Sequence, residues 1–127
     1  MRAIIIATGA PAIIAFAAFV HTLPAQASGD PARGKRIYER CQGCHSIDRD
    51  RTGPRHRGLV GRRAGSVPGF TYSKAMRRSK IVWTAQTLDQ FLRAPTKAIP
   101  GTSMGFDGVK DARQRADLIA FLLQATK

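Results

Sequence analysis

The sequence predicts an all-α protein, and three observations lead to that prediction. Apolar residues recur at helical spacing in separate stretches, and helix-start signals stand in front of them. No stretch of useful length alternates apolar and polar residues as a half-buried strand does. The sequence also contains no internal repeat and no low-complexity segment, so we expect one small domain.

The first 27 residues have the parts of a secretory signal peptide. Arg2 supplies the positive start, residues 4–20 form an apolar run, and Ala25–Ala27 has the small-x-small pattern of a cleavage site. The run is short for a membrane span and is interrupted by a glycine and a proline, so a retained anchor is the less favoured alternative. We therefore expect cleavage of residues 1–27, a mature domain of residues 28–127 without stable membrane insertion, and localisation in the periplasm.

The charge balance is strongly basic. The chain carries a net charge of +13, and removal of the signal peptide takes away Arg2 and no acidic residue, which leaves +12. Such a charge attracts acidic proteins, anionic membranes or nucleic acid. Export from the cytoplasm disfavours nucleic acid, so acidic protein partners are favoured, with a merely basic and well-solvated surface as the alternative.

Asp30 and Pro31 predict the start of the first helix, because aspartate is a common N-cap and proline fits the first helical position. One face of this helix runs into the cysteine motif, with Gly34, Ile37, Tyr38 and Cys41 at helical spacing. A glycine inside a helix costs about 1 kcal/mol relative to alanine. The close approach of another helix is one reason to accept it.

The only two cysteines of the chain lie in the motif Cys41-Gln42-Gly43-Cys44-His45. This spacing is the attachment signature of a c-type haem. Two thiols on one side of a helical turn can form thioethers with the two haem vinyl groups, and His45 then directs its imidazole at the iron. A thioredoxin-like dithiol would need alternating strands and helices around it, and a disulfide across two residues would be strained. We therefore predict one covalent haem c, attached through Cys41 and Cys44.

The remaining elements are two loops and three helices. Glycines and prolines punctuate residues 46–69, and a loop of that length is expected in a compact domain when it wraps an object such as a haem. A short helix is predicted over Tyr72–Arg78. Thr84 can cap the next helix, which ends at Pro95. The last helix is predicted over Lys110–Ala125. The loop between these two holds Met104.

A haem iron bound by His45 needs a second axial ligand or a deliberately open site, and the mature sequence has three candidates for the ligand. Met76 lies in the short helix, where methionine most often fills a core. His56 follows His45 by only eleven residues and is flanked by arginines, which favours a surface or haem-edge position. Met104 lies in a turn-rich loop, which can present a side chain across a cavity. Met104 is therefore favoured, with the other two as alternatives.

Together these residues resemble the class I cytochromes c of the bacterial periplasmic and mitochondrial type. The match covers nearly the whole mature chain in order and spacing. Besides the cysteine motif it includes Gly34, Tyr38, Gly53-Pro54, Gly61–Gly65, Pro68–Ser73, Trp83, Pro100-Gly101-Thr102-x-Met104 and Arg115–Leu122. The resemblance implies a small fold of three main helices and short helices, wrapped by loops around one covalent haem.

The resemblance also implies roles for individual residues. His45 and Met104 would be the axial ligands, and the Pro54 carbonyl would accept the outer N–H of His45. Tyr72 and Trp83 would hydrogen-bond a buried haem propionate, and Arg62 would offset its charge. Thr102 belongs to the same set of cofactor-binding residues. In the helices, Gly34 and Tyr38 would pack against Leu118 and Phe121.

The sequence departs from the family pattern at several positions, among them Ser103 and Thr96, which stand where lysine is often found, and in a shorter segment between His45 and Gly53. Phe91 stands where the family usually has tyrosine, so one hydroxyl near the methionine sulfur would be missing. His56 stands where an apolar residue is usual. Basic character near the expected haem edge is retained by Arg40, Lys97 and Lys110.

The function expected from these features is one-electron transfer by a monomer that docks onto acidic redox partners. No acid/base pair, nucleophile or phosphate-binding loop appears, so we do not expect an enzyme. Two alternatives stay open. One is a peroxidase or gas binder with a labile methionine ligand, and the other is a dedicated cytochrome subunit of a dehydrogenase or oxidase.

Overall fold

The computed structural model describes residues 28–127, and the predicted signal peptide lies outside this range. The regular structure of these residues consists of the helices α1 (Pro31–Tyr38), α2 (Lys74–Arg78), α3 (Ala85–Arg93), α4 (Pro95–Ala98) and α5 (Ala112–Ala125). The same residues form no strand, only an isolated bridge between Arg63 and Val82. The all-α prediction, with three longer helices and two short ones, is confirmed. None of the described helices is long and apolar enough to cross a membrane.

Helix α1 begins where the sequence predicts but ends before the cysteine motif. The Asp30 carboxylate accepts hydrogen bonds from the backbone of Ala32 at 2.8 Å and of Arg33 at 3.2 Å. After Tyr38 the chain continues in turns, in which the Cys41 N–H donates to the Tyr38 carbonyl at 2.8 Å. The expectation that one helix runs into the motif is therefore corrected, because tighter bonds to the third preceding residue replace the α-helical pattern.

Polar caps start α2 and α5 two residues later than the sequence pattern suggests. Ser73 accepts a hydrogen bond from the third residue of α2 at 3.1 Å, and Asp111 accepts one from the third residue of α5 at 2.8 Å. Each cap residue is itself extended, so the helix begins only after it. Helix α3 ends before Pro95 as predicted, but this proline is also the first residue of α4.

The first and last described helices, α1 and α5, touch backbone to backbone. A Cβ on Gly34 would lie 1.9 Å from the carbonyl oxygen of Asp117, so no larger residue fits there. The Tyr38 ring packs on the Phe121 ring with centroids 5.1 Å apart. The Asp117 carboxylate accepts from Arg33 Nε at 2.7 Å and from the Asp30 N–H at 2.6 Å, and these hydrogen bonds lower its pKa to about 2. The predicted helix contact at Gly34 is present.

Helix α5 is also tied to α3 and to the segment that precedes it. The Arg115 side chain is 3% exposed and donates to Asp89 Oδ1 at 2.7 Å and to the carbonyls of Val109 and Lys110 at 2.9 and 3.0 Å. This one guanidinium therefore holds the end of the Met104 loop against two helices. The apolar core beneath these contacts consists of Tyr38, Leu59, Ala64, Met76, Trp83, Leu88, Phe91, Leu92, Ile99, Val109, Leu118, Ile119 and Leu122.

Candidate haem site

Cys41, Cys44 and His45 belong to one turn of the chain. The N–H groups of Cys44 and His45 both donate to the Cys41 carbonyl, at 3.0 and 2.8 Å. All three residues line the same cavity. Burial raises the pKa of the Cys41 thiol to about 11, so it is protonated at neutral pH. One turn thus presents two thiols and an imidazole to one space.

The His45 ring is held in a single tautomer. Its Nδ1 lies 2.8 Å from the carbonyl oxygen of Pro54, and a carbonyl can only accept, so Nδ1 carries the proton. The Nε2 atom is then left with the lone pair that a metal ion requires. Burial lowers the pKa of His45, and the hydrogen bond to Pro54 offsets part of this effect. The ring is therefore neutral and ready to act as a ligand.

Gly53 makes room for this ring. A Cβ on Gly53 would lie 2.3 Å from His45 Cε1 and 2.7 Å from each ring nitrogen. The sequence pattern includes Gly53-Pro54, but spacing alone carries no signal that the glycine faces the histidine. The role of Gly53 is visible only in the folded chain.

Of the two positions expected for His56, at the surface or at the haem edge, the structure shows it lining the cavity and not in a solvated loop. Its ring is stacked on that of His45, with centroids 4.3 Å apart and an interplanar angle of 22°. Its Nδ1 shares a hydrogen bond of 3.0 Å with the hydroxyl of Tyr38. Burial, together with the nearby His45 and Arg62, lowers the pKa of His56 to about 3, so the ring is neutral. The flanking arginines are a poor guide because the backbone turns His56 inward between them.

One cavity of about 290 Å³ brings the predicted site residues together. Residues of α1, α2, α3 and α5 and of both long loops line it. The competing ligand candidates His56 and Met76 also line it, so proximity to the cavity does not choose between them and Met104. The predicted cofactor-binding residues on its wall are Cys41, Cys44, His45, Pro54, Arg62, Tyr72, Trp83, Thr102 and Met104.

The polar residues of the cavity are oriented by the surrounding backbone. Arg62 donates to the carbonyls of Arg57 at 2.6 Å and Arg55 at 3.1 Å, and burial lowers its pKa. The Tyr72 hydroxyl accepts from the Val67 N–H at 3.3 Å. Arg62 and Tyr72 can therefore offer N–H and O–H donors to an anionic group in the cavity.

Aromatic and loop residues complete the wall. The buried Trp83 and Phe91 meet edge to face with centroids 4.9 Å apart. The Thr102 hydroxyl accepts from the Met104 N–H at 3.3 Å and so stiffens the methionine loop. The cavity fits a covalently bound haem. It offers two thiols for attachment, an imidazole nitrogen and a thioether sulfur for the iron, apolar walls for the ring, and N–H and O–H donors for a propionate.

A family model described as cytochrome c matches residues 31–126. The chain belongs to the cytochrome c family. Cytochrome c2 of Rhodomicrobium vannielii is 43% identical over 109 residues, which cover 84% of this chain and 87% of that protein. Cytochrome c of Gibberella zeae is 43% identical over 105 residues, which cover 80% and 99%. Among solved structures, cytochrome cH from Methylobacterium extorquens superimposes with a TM-score of 0.73 at 36% identity, covering 75% of this chain and 98% of that one.

Membership of the cytochrome c family confirms three expectations. The fold is that of the class I cytochromes c. The cofactor is a covalent c-type haem, in keeping with the spacing of Cys41 and Cys44. The protein is an electron carrier and not an enzyme, as its relatives are cytochromes c.

Proposed function

We propose that this cytochrome c carries single electrons in the periplasm, with His45 and Met104 as the axial ligands of one haem. The observation that carries the proposal is the hydrogen bond from His45 Nδ1 to the Pro54 carbonyl at 2.8 Å, on the turn that also presents both cysteines. It leaves Nε2 free to bind iron from the side on which the thioethers form.

The stacking of His56 on His45 argues against His56 as the second ligand. A haem plane lies across the Nε2 end of a ligating imidazole, so a ring stacked 4.3 Å beside His45 stays on the same face of the haem. The second axial ligand has to come from the other face. Two methionines then remain as candidates.

Met104 is the better candidate of the two methionines. Met76 is 8% exposed and belongs to the apolar core, and its backbone packs so closely on Gly65 that a Cβ there would lie 2.6 Å from the Met76 carbonyl oxygen. Met104 is half-buried in a loop, where its side chain can turn toward an iron in the cavity without moving a helix. The Thr102 hydroxyl and the Arg115 contacts hold that loop at both ends.

A bound haem supplies a reversible one-electron couple at iron, and methionine ligation raises its reduction potential relative to two histidines. The chain determines everything around that couple. His45 and Met104 would hold the iron at both axial positions, which would leave no position for substrate or oxygen. Arg62, Tyr72 and Trp83 offer donors for a propionate inside the cavity, which lowers the cost of burying its charge.

The spectrum of oxidised holoprotein tests the ligand assignment. We expect Met104→Ala to lose the iron–methionine charge-transfer band, to lower the reduction potential and to bind carbon monoxide when reduced. Met76→Leu is the matched control because it conserves volume, and it should keep the band and the potential. Retention of the band in Met104→Ala, with its loss in Met76→Leu, would assign the ligand to Met76 instead. Binding of carbon monoxide by the reduced wild-type protein would favour a gas binder or peroxidase.

Export and monomeric state complete the proposal. The signal-peptide pattern of residues 1–27 supports export to the periplasm, and protein isolated from that compartment should begin at Ser28. Sedimentation of the purified protein should give a monomer. A retained N-terminus in the membrane fraction, or a stable complex with a dehydrogenase or oxidase, would contradict the free-carrier proposal.

A further inference from the structure

We propose that Tyr38 and His56 form a positioning pair that sets the plane of the His45 imidazole, an inference that rests on the proposed ligand role of His45. The three side chains form a continuous row. Tyr38 Oη and His56 Nδ1 are 3.0 Å apart, and the His56 ring is stacked on the His45 ring at a centroid distance of 4.3 Å.

The hydrogen bond to Pro54 is one of two restraints on the His45 ring. It holds the Nδ1 edge of the ring, but a single hydrogen bond tolerates a range of angles about the Cβ–Cγ bond. A second ring lying nearly parallel, at 22°, opposes the rotation that remains. The Gly53 backbone lies close to the same imidazole near Cε1. His56 thus adds a restraint on the ring plane to the one that Pro54 supplies.

The His56 ring can serve as a reference because it is itself fixed. Its backbone N–H donates to the Ser46 carbonyl at 2.9 Å, and its own carbonyl accepts from the Leu59 N–H at 2.9 Å. These bonds place the His56 backbone beside Ser46, the residue after His45, but they do not set the rotation of the His56 side chain. The hydrogen bond to Tyr38 sets that rotation.

Tyr38 connects the row to the contact between α1 and α5. Its side chain is 2% exposed, and its ring packs on Phe121 of α5 at 5.1 Å. Burial raises the pKa of Tyr38 to about 12, so its hydroxyl keeps its proton under all ordinary conditions. The orientation of the axial imidazole is thereby coupled to the packing of α1 on α5.

A fixed ring plane matters for electron transfer. Together with the methionine sulfur, the plane of the axial imidazole would set which iron orbital holds the unpaired electron of the oxidised state, and a ring that does not reorient would add little reorganisation to the transfer. Partners outside the ligands commonly tune a metal centre in this way. The pair acts through His45 and touches no reacting atom, so it is a positioning device.

The test uses oxidised holoprotein with three substitutions. Tyr38→Phe removes one hydroxyl, His56→Leu removes the stacked ring, and His56→Phe keeps a ring but loses the nitrogen. The readouts are the spread of the paramagnetically shifted haem-methyl NMR signals and the electron paramagnetic resonance g values, which report the plane of the axial imidazole. We expect both to change in Tyr38→Phe and His56→Leu, and to change less in His56→Phe than in His56→Leu.

The matched control is Ile119→Ala, a buried substitution on α5 that does not line the cavity. It lowers stability without touching the row, and it should leave the methyl shifts and g values as in the wild type. Wild-type spectra in both Tyr38→Phe and His56→Leu would overturn the proposal, as would an equal change in Ile119→Ala. If His56→Leu does not retain haem, Tyr38→Phe decides the question.

Failure of this inference is separable from failure of the proposed function. The charge-transfer band of the wild type and its loss in Met104→Ala report the axial ligands. An intact band together with unchanged methyl shifts in both Tyr38→Phe and His56→Leu refutes only the positioning pair.

Discussion

Gly53 lies against the His45 ring so closely that any side chain would collide with it. The nearest ring atom would be 2.3 Å from a Cβ, well inside van der Waals contact. The collision could be relieved only by moving the imidazole or by displacing the loop that carries the Pro54 carbonyl. Either movement lengthens the hydrogen bond that holds His45 in its ligating tautomer.

Gly53→Ala is therefore expected to destabilise the holoprotein by about 1–3 kcal/mol, the usual range for overpacking. It should also shift the haem spectrum, because the collision falls on the ligand itself. Denaturant unfolding of the oxidised protein and its absorption spectrum measure the two effects. Gly43→Ala is the control, since a Cβ there meets nothing within 4 Å and the residue does not line the cavity. Equal stability of the two variants would show that the loop yields without cost.

At the scale of elements, the contact between α1 and α5 organises the described fold. A Cβ on Gly34 would approach the Asp117 carbonyl oxygen to 1.9 Å, and a helix backbone cannot yield as a flexible side chain can. The same contact carries the Arg33–Asp117 ion pair and the Tyr38–Phe121 ring pair. The turn that carries Cys41, Cys44 and His45 begins directly after α1, so a shift of this helix would move the haem site.

Gly34→Ala should lower the free energy of unfolding by about 3 kcal/mol or more, because overpacking here falls on helix backbone. The intrinsic helix propensity works the other way, because alanine gains about 1 kcal/mol over glycine in a helix. A net loss therefore isolates the packing effect. Gly43→Ala, where a Cβ meets nothing within 4 Å, serves as the control in the same denaturant titration. Stabilisation by Gly34→Ala would mean that α5 can move away.

At the scale of the whole molecule, we propose that the excess of basic residues steers the carrier toward acidic partners. Basic residues outnumber acidic ones by 21 to 8 over the chain. Within residues 28–127 the acidic groups at positions 30, 48, 50, 89 and 117 are already paired with arginines. The remaining positive charge is available to steer an acidic surface toward the protein, which speeds encounter without requiring tight binding.

Oxidation of the reduced protein by membranes of its source should slow as ionic strength rises, because salt screens this steering. Arg40→Glu, at an exposed position that lines the cavity, should slow the reaction severalfold at low salt and have little effect at high salt. Lys35→Glu on α1 makes the same charge change at an exposed position outside the cavity lining. A rate that is insensitive to salt, or equal slowing by both substitutions, would contradict directed docking.

The sequence by itself determined the attachment chemistry and the order of the helices. The two cysteines and His45 are neighbours along the chain, so a single turn brings them together whatever the rest of the fold does. Caps such as Asp30 act on the next few residues only, and for this reason the starts of α1, α2, α3 and α5 could be predicted to within about two residues, whereas the end of α1 and helix α4 could not.

The tertiary structure decided which distant residues meet. His56 is separated from Tyr38 by 18 positions, and its arginine neighbours suggest exposure, yet the fold stacks it on His45 and bonds it to Tyr38. Gly53 likewise acquires its role only when the loop folds over the imidazole. Local pattern reports the preferences of a segment, whereas ring stacking and backbone clearance depend on where two segments lie in space. The haem attachment is therefore a property of five consecutive residues, and the surroundings of His45 are a property of the fold.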